Sequence, residues 1–184
     1  MSITSRQASF REPCALKPGI GYYRERARDY VTRHTLPTDR PAQPPVYYLD
    51  YGDKYARRFT QVLRPAMSAA GQQWIDATFR RLQVLLERRR TTDPRWFAEL
   101  EEDTHAFQCL AYGTHAQAYI ECGIAKLPLS DLVRIARTPD IRDLLTQAGL
   151  EQVLRVLAHV IKARWHDFVL SWVIRTSTQS QEKI

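Results

Sequence analysis

The sequence predicts an all-α protein: a single compact bundle of six or seven helices around a central buried helix at 104–122, with an irregular amino-terminal extension. Apolar residues recur three and four positions apart along most of the chain, and no segment alternates as a half-buried strand would. Helix-start residues stand at the head of these stripes: Ser68, Asp93-Pro94, Ser130 and Thr138-Pro139. Only seven glycines are spread over 184 residues, few for the many turns of a β-sandwich.

Residues 1–21 contain Pro13, Pro18, Gly19 and Gly21 and show no period, so an irregular segment is expected. Tyr22–His34 has the composition of a short, charged helix. Residues 36–45, LPTDRPAQPP, hold four prolines in ten residues and read as an extended linker. That places the start of the compact domain near Val46 and leaves 1–45 as the extension. Asp50 or Gly52 opens a helix that runs to about Arg64 and stops at Pro65. Ser68 caps the next helix, with a stripe of Ile75, Thr78, Phe79, Leu82, Leu85 and Leu86. Asp93-Pro94 starts a short helix carrying Trp96, Phe97 and Leu100.

From Thr104 to Cys122 there is one charge, Glu121, and no proline, and Gly123 follows. The expected helix is covered on most sides. Ser130 caps LSDLVRIA, and Thr138-Pro139 starts a helix that ends at Gly149. The last helix is expected from about Leu150 to Ile174. Its core stripe would be Val153, Leu154, Leu157, Ala158, Ile161, Trp165, Phe168, Val169 and Trp172. The helical domain spans 46–176, and 177–184 is expected to be a disordered tail.

The net charge of +7 is unevenly placed. Lys and Arg against Asp and Glu number eight to four in residues 1–46 (+4), nine to four in 47–90 (+5), two to six in 91–129 (−4) and eight to six in 130–184 (+2). A basic amino-terminal half therefore stands beside an acidic middle. Twenty-two of the 27 basic residues are Arg, which points to a GC-rich bacterial genome. Cys14, Cys109 and Cys122 are odd in number and lack a pairing pattern, as expected of a reducing cytoplasm. The amino terminus has no apolar run of signal-peptide length. No stretch of eighteen residues is apolar enough to span a bilayer, so no membrane insertion is expected.

The central helix is rich in polar groups, and buried polar groups need partners. His105, Cys109, Tyr112, His115 and Tyr119 are therefore expected to form a buried hydrogen-bond network. His105 and Cys109 lie four apart and share a face, but a zinc site needs three or four ligands and no CxxC or HExxH pattern occurs. No metal and no cofactor are expected. Glu101, Glu102 and Asp103 are placed where a helix dipole favours negative charge, which explains them without acid–base chemistry. No nucleophile elbow and no phosphate-cradling glycine loop appears, so no catalytic residue is assigned.

Two surfaces remain. Tyr47, Tyr48, Tyr51 and Tyr55, with Arg57 and Arg58, are of the residue types that anchor protein contacts, or else the tyrosines seal the core with each hydroxyl reaching solvent. Near the carboxyl terminus, FVLSWVI leaves Leu170, Val173 and Ile174 off the core stripe, to be covered by a folded-back Tyr22–His34 segment or, the favoured reading, by a second chain, a twofold mate or a protein partner. The expected function is a non-enzymatic protein-binding module of a bacterial cytoplasm, of adaptor, effector-chaperone or toxin-neutralising type, binding a protein partner or forming a homodimer. The alternative is a nucleic-acid-binding regulator that uses the Arg- and Tyr-rich surface of residues 47–90. A third reading is an enzyme with a site around the central helix.

Overall fold

The computed structural model describes residues 20–34, 41–138 and 147–181, and within them the chain is all-α. There are seven helices and no strand among these residues. Helix α1 is Tyr22–His34. Helix α2 is one rod of four consecutive segments: Tyr47–Asp53 and Arg58–Leu63 are π-helical, Lys54–Arg57 and Arg64–Ala66 are α-helical. Helix α3 is Ala69–Thr92, α4 is Pro94–Glu102 and α5 is Thr104–Glu121. A 3-10 turn at Ile124–Lys126 leads to α6, Leu129–Ala136, and α7 is Gln147–Gln181.

Local chemistry sets most of the boundaries. The Ser68 side chain accepts the Gly71 N–H at 3.1 Å and opens α3. Asp93 accepts the Trp96 N–H and Asp103 the Ala106 N–H, each at 3.0 Å, opening α4 and α5. Gly123, in the left-handed region at φ 83°, closes α5, and its N–H donates to the Ile120 carbonyl.

Other boundaries differ from expectation. Helix α2 begins at Tyr47, before Asp50, and passes through Pro65 to Ala66. A proline ring collides with the carbonyl four residues back in a regular α-helix. The wider π turn preceding Pro65 removes that geometry. Helix α6 starts at Leu129, one residue before Ser130, and the Ser130 side chain is not its cap. The helix expected from Thr138-Pro139 falls largely on 139–146, outside the described residues. Helix α7 runs on to Gln181, through residues 177–181 of the expected disordered tail. No Gly or Pro occurs between Gly149 and Gln181 to stop it.

The core confirms the α3 stripe: Ile75, Thr78, Phe79, Leu82, Leu85 and Leu86 are all buried. The amino-terminal boundary needs correction. Helix α1 belongs to the core, with Tyr22, Tyr23, Ala27 and Tyr30 buried, so Val46 does not mark the edge of the compact unit. Gly52 makes this contact close: a Cβ there would lie 2.5–2.9 Å from the Tyr23 ring. Helices α3, α4 and α7 pack against α5, which is central and buried or partly buried at most of its positions. Phe107, Ala111, Tyr112, Ala116 and Ala118 face inward, while His105, Cys109, Gln117 and Glu121, four residues or a multiple of four apart, face solvent.

Candidate protein-docking surface

The tyrosine cluster read from the sequence as a surface is core. Tyr47 is 2% exposed, Tyr48 0% and Tyr55 6%. The Tyr47 ring stacks on Tyr51 at 5.4 Å and meets Phe107 and Tyr112 edge-on. Tyr51 is half-buried and packs on Tyr55 and Tyr112. Burial raises the Tyr47 and Tyr48 hydroxyl pKa well above the ordinary value. Arg57 is partly exposed, and its Nε donates to Asp53 at 2.9 Å. Arg58 is partly buried. Tyrosines that face inward cannot stack on bases. Many of the arginines near them are already paired: Arg64 with Asp76, Arg81 with Glu121 and Arg90 with Glu87.

The tyrosine hydroxyls serve two buried carboxylates that the sequence did not reveal. Glu101, 3% exposed, accepts the Tyr48 hydroxyl at 2.6 Å on one oxygen and Arg33 Nη2 at 2.7 Å on the other. Glu87, 4% exposed, accepts the Tyr22 hydroxyl at 2.8 Å and Arg90 Nε at 2.7 Å, with Arg26 Nε 3.5 Å away. Each acid thus meets one phenol and at least one guanidinium, an arrangement that offsets the desolvation of the charge. The α5 dipole does not account for Glu101, which is a joint between α1, α2 and α4. The sequence signal for Glu87 is its place on the buried face of α3, one residue past Leu86.

The expected polar network on α5 splits in two. His105 and Cys109 do share a face, with Cys109 Sγ 3.9 Å from His105 Nδ1, but that face is exposed. Further along the helix Tyr112 is buried and His115 and Tyr119 are partly buried. The His115 Nδ1 bonds to the Ala111 carbonyl at 2.8 Å. Its ring is surrounded by Tyr47, Tyr51, Tyr112 and Tyr119 at 5.7–6.4 Å. Part of its edge remains accessible by surface area, yet the aromatic enclosure desolvates the imidazole and lowers its pKa. A neutral His in a tyrosine cage is a packing element. Among the described residues no group of three or more His, Cys, Asp or Glu side chains is placed to hold a metal ion.

The feature that stands apart lies on α7. This helix rests on α5 and on the 3-10 turn, and Arg164 Nη2 donates to the Leu127 carbonyl. Among the described side chains, Val156 and Val160 pack against the core. The stripe expected to be core points outward: Leu154 is 55% exposed, Leu157 51%, Ile161 60% and Trp165 67%. Val153 and Val169 flank it, also exposed. Leu170, expected off the stripe, is 47% exposed, while the side chains of Val173 and Ile174 lie outside the described set. The period was legible in the sequence; which of two apolar faces meets the core was not. Val156 and Val160 form the second, narrower stripe, and only packing decides between them.

A row of exposed aliphatic and indole side chains on one helix is the kind of apolar patch that marks a contact site. No helix among the described residues is long and apolar enough to cross a membrane. No family model, curated protein or solved structure matches the chain.

Proposed function

We propose that the protein is a non-enzymatic protein-binding module whose docking surface is the outer face of α7. The observation that carries this reading is the outward exposure of Leu154, Leu157, Ile161 and Trp165 on a helix whose other face is already seated on the domain. A helix with two apolar faces has use for two covers. The Tyr47 to Tyr55 region does not contribute, because its rings are spent on the core. An adaptor, an effector chaperone or a toxin-neutralising protein of a bacterial cytoplasm accords with such a surface. Pairing of the arginines and burial of the tyrosines weigh against the nucleic-acid reading.

A photo-reactive amino acid at position 161, in the full chain inside the producing cell, tests the proposal. The expected result is a discrete protein adduct that Trp165→Glu abolishes, with no adduct from the same probe at position 105 on the exposed face of α5. Equal labelling from both positions, or none from 161, refutes it.

A further inference from the structure

We infer that the occupant of the α7 face is a second copy of this chain, docked antiparallel with the twofold axis passing beside Ile161. The inference rests on the reading of α7 as a docking surface and names its partner. The stripe is symmetric about that residue. Leu157 and Trp165 stand four positions to either side of Ile161, and Val153 and Val169 eight. In sequence the series also holds Leu154 and Phe168 at seven positions, and Leu150 and Trp172 at eleven. A twofold interface is self-complementary, so residue i must meet a suitable residue j and j must meet i. An antiparallel mate centred on Ile161 meets that condition at Ile161 itself, at Leu157 with Trp165 and at Val153 with Val169.

Side-chain size selects this direction. The amino-terminal half of the stripe is aliphatic, Leu154 and Leu157, and an indole, Trp165, stands in the carboxyl-terminal half. Antiparallel docking sets Leu157 against Trp165 of the mate, a large group against a smaller one, as interdigitated layers require. Parallel docking sets Trp165 against its own copy at one level and overfills it. The repeat supports a long contact too. From Leu154 through Leu157 and Ile161 to Trp165 the spacings are three, four and four, which is eleven residues in three turns, close to the pitch of a straight α-helix. The stripe therefore stays on one side of α7 instead of winding away from a mate.

Area also fits. From their exposures, Val153, Leu154, Leu157, Ile161, Trp165 and Val169 leave roughly 600 Å² open per chain, approaching the ~800 Å² per partner of a standard interface. Val156 and Val160 hold the domain on the far side of the helix, so the domains of two mates lie clear of the seam.

The test uses the full chain with Cys14, Cys109 and Cys122 changed to Ser. Sedimentation over a micromolar concentration series is expected to show a dimer, and Ile161→Glu with Trp165→Glu to give a folded monomer. Under mild oxidation Ile161→Cys is expected to form a covalent dimer, because position 161 meets itself at the axis. Leu154→Cys is expected to form none, because its copies lie ~21 Å apart along an antiparallel pair. Cross-linking of both variants means a parallel pair and overturns the inference. A monomeric chain whose Glu variant stays folded also overturns it, while leaving the face open to a different protein. A monomeric chain whose Glu variant unfolds overturns both readings and assigns the stripe to an internal cover, such as residues 139–146 or 1–19. If the Glu variant unfolds while the unaltered chain sediments as a dimer, the two cysteine variants decide alone.

Discussion

Removing the Glu101 carboxylate probes the polar joint between α1, α2 and α4. Glu101→Ala leaves the Tyr48 hydroxyl, in a residue 0% exposed, without its acceptor. A buried donor stripped of its partner costs about 1–3 kcal/mol. Arg33 loses one of two carboxylates but keeps Asp29 at 3.1 Å, and its side chain is 27% exposed, so water recovers part of that loss. Breaking one member of a buried pair costs about 3–5 kcal/mol in total, a large share of the 5–15 kcal/mol that stabilises a typical domain. For a chain of this length that lowers the melting temperature by about 10 °C. Glu101→Gln should fall between, because its carbonyl can still accept from Tyr48 while its amide opposes Arg33. Urea unfolding of Glu101→Ala, Tyr48→Phe and the double variant closes the thermodynamic cycle, with an expected coupling of about 1–2 kcal/mol. A Glu101→Ala protein within about 0.5 kcal/mol of the unaltered chain, or a coupling near zero, would refute the proposed joint.

Three further outcomes are expected. Gly52→Ala drives a methyl into the Tyr23 ring and should cost about 1–3 kcal/mol in a denaturant melt. His105→Ala and Cys109→Ser, on the exposed side of α5, should each stay within about 0.5 kcal/mol of the unaltered chain. His115 should titrate below 6.5 when its ring protons are followed by magnetic resonance. Because the folded value is depressed, its contribution is full above the unfolded pKa and is lost as pH falls through the folded one. His115→Phe should therefore flatten the fall in stability below about pH 6.5.

How far the sequence revealed the molecule depends on the kind of signal. Caps were legible where one side chain and one N–H settle the matter, as at Ser68, Asp93 and Asp103. The α3 stripe was legible because its opposite face, with Gln73, Arg80 and Arg88 exposed, carries no second apolar stripe. The orientation of α7 was not, because it is apolar on two faces and only packing shows which one meets the core. Sequence alone does not decide between interface and core for Tyr47, Tyr48 and Tyr55, because Tyr and Arg look alike in an interface and in a polar core. What separates the two cases is a buried acid within reach of the phenol, and Glu101 stands 53 residues from Tyr48 in sequence. The π segments of α2 left no mark that periodicity could detect, since a π turn shifts the register only once it is packed.

The buried acids also decide what counts as the domain. Glu87 and Glu101 sit on α3 and α4, but α1 supplies Tyr22, Arg26 and Arg33 to them. A chain that begins at residue 41 keeps Arg90 for Glu87 and Tyr48 for Glu101, and loses the rest. It also uncovers Gly52 and Tyr47, on which Tyr23 packs. Two half-satisfied carboxylates, at a few kcal/mol each, add to the apolar area given up by Tyr22, Tyr23, Ala27 and Tyr30. Together these losses match or exceed the stability of an ordinary domain of roughly 5–15 kcal/mol. The fragment 41–184 is therefore expected to be helical but to lack a cooperative melt. A synthetic peptide of residues 20–34 added in excess should restore one, because the groups it returns are the missing partners of the two acids. A cooperative transition of the fragment alone at the temperature of the full chain would show that α1 is an appendage after all. It would also show that water satisfies Glu87 and Glu101 as well as the amino-terminal helix does.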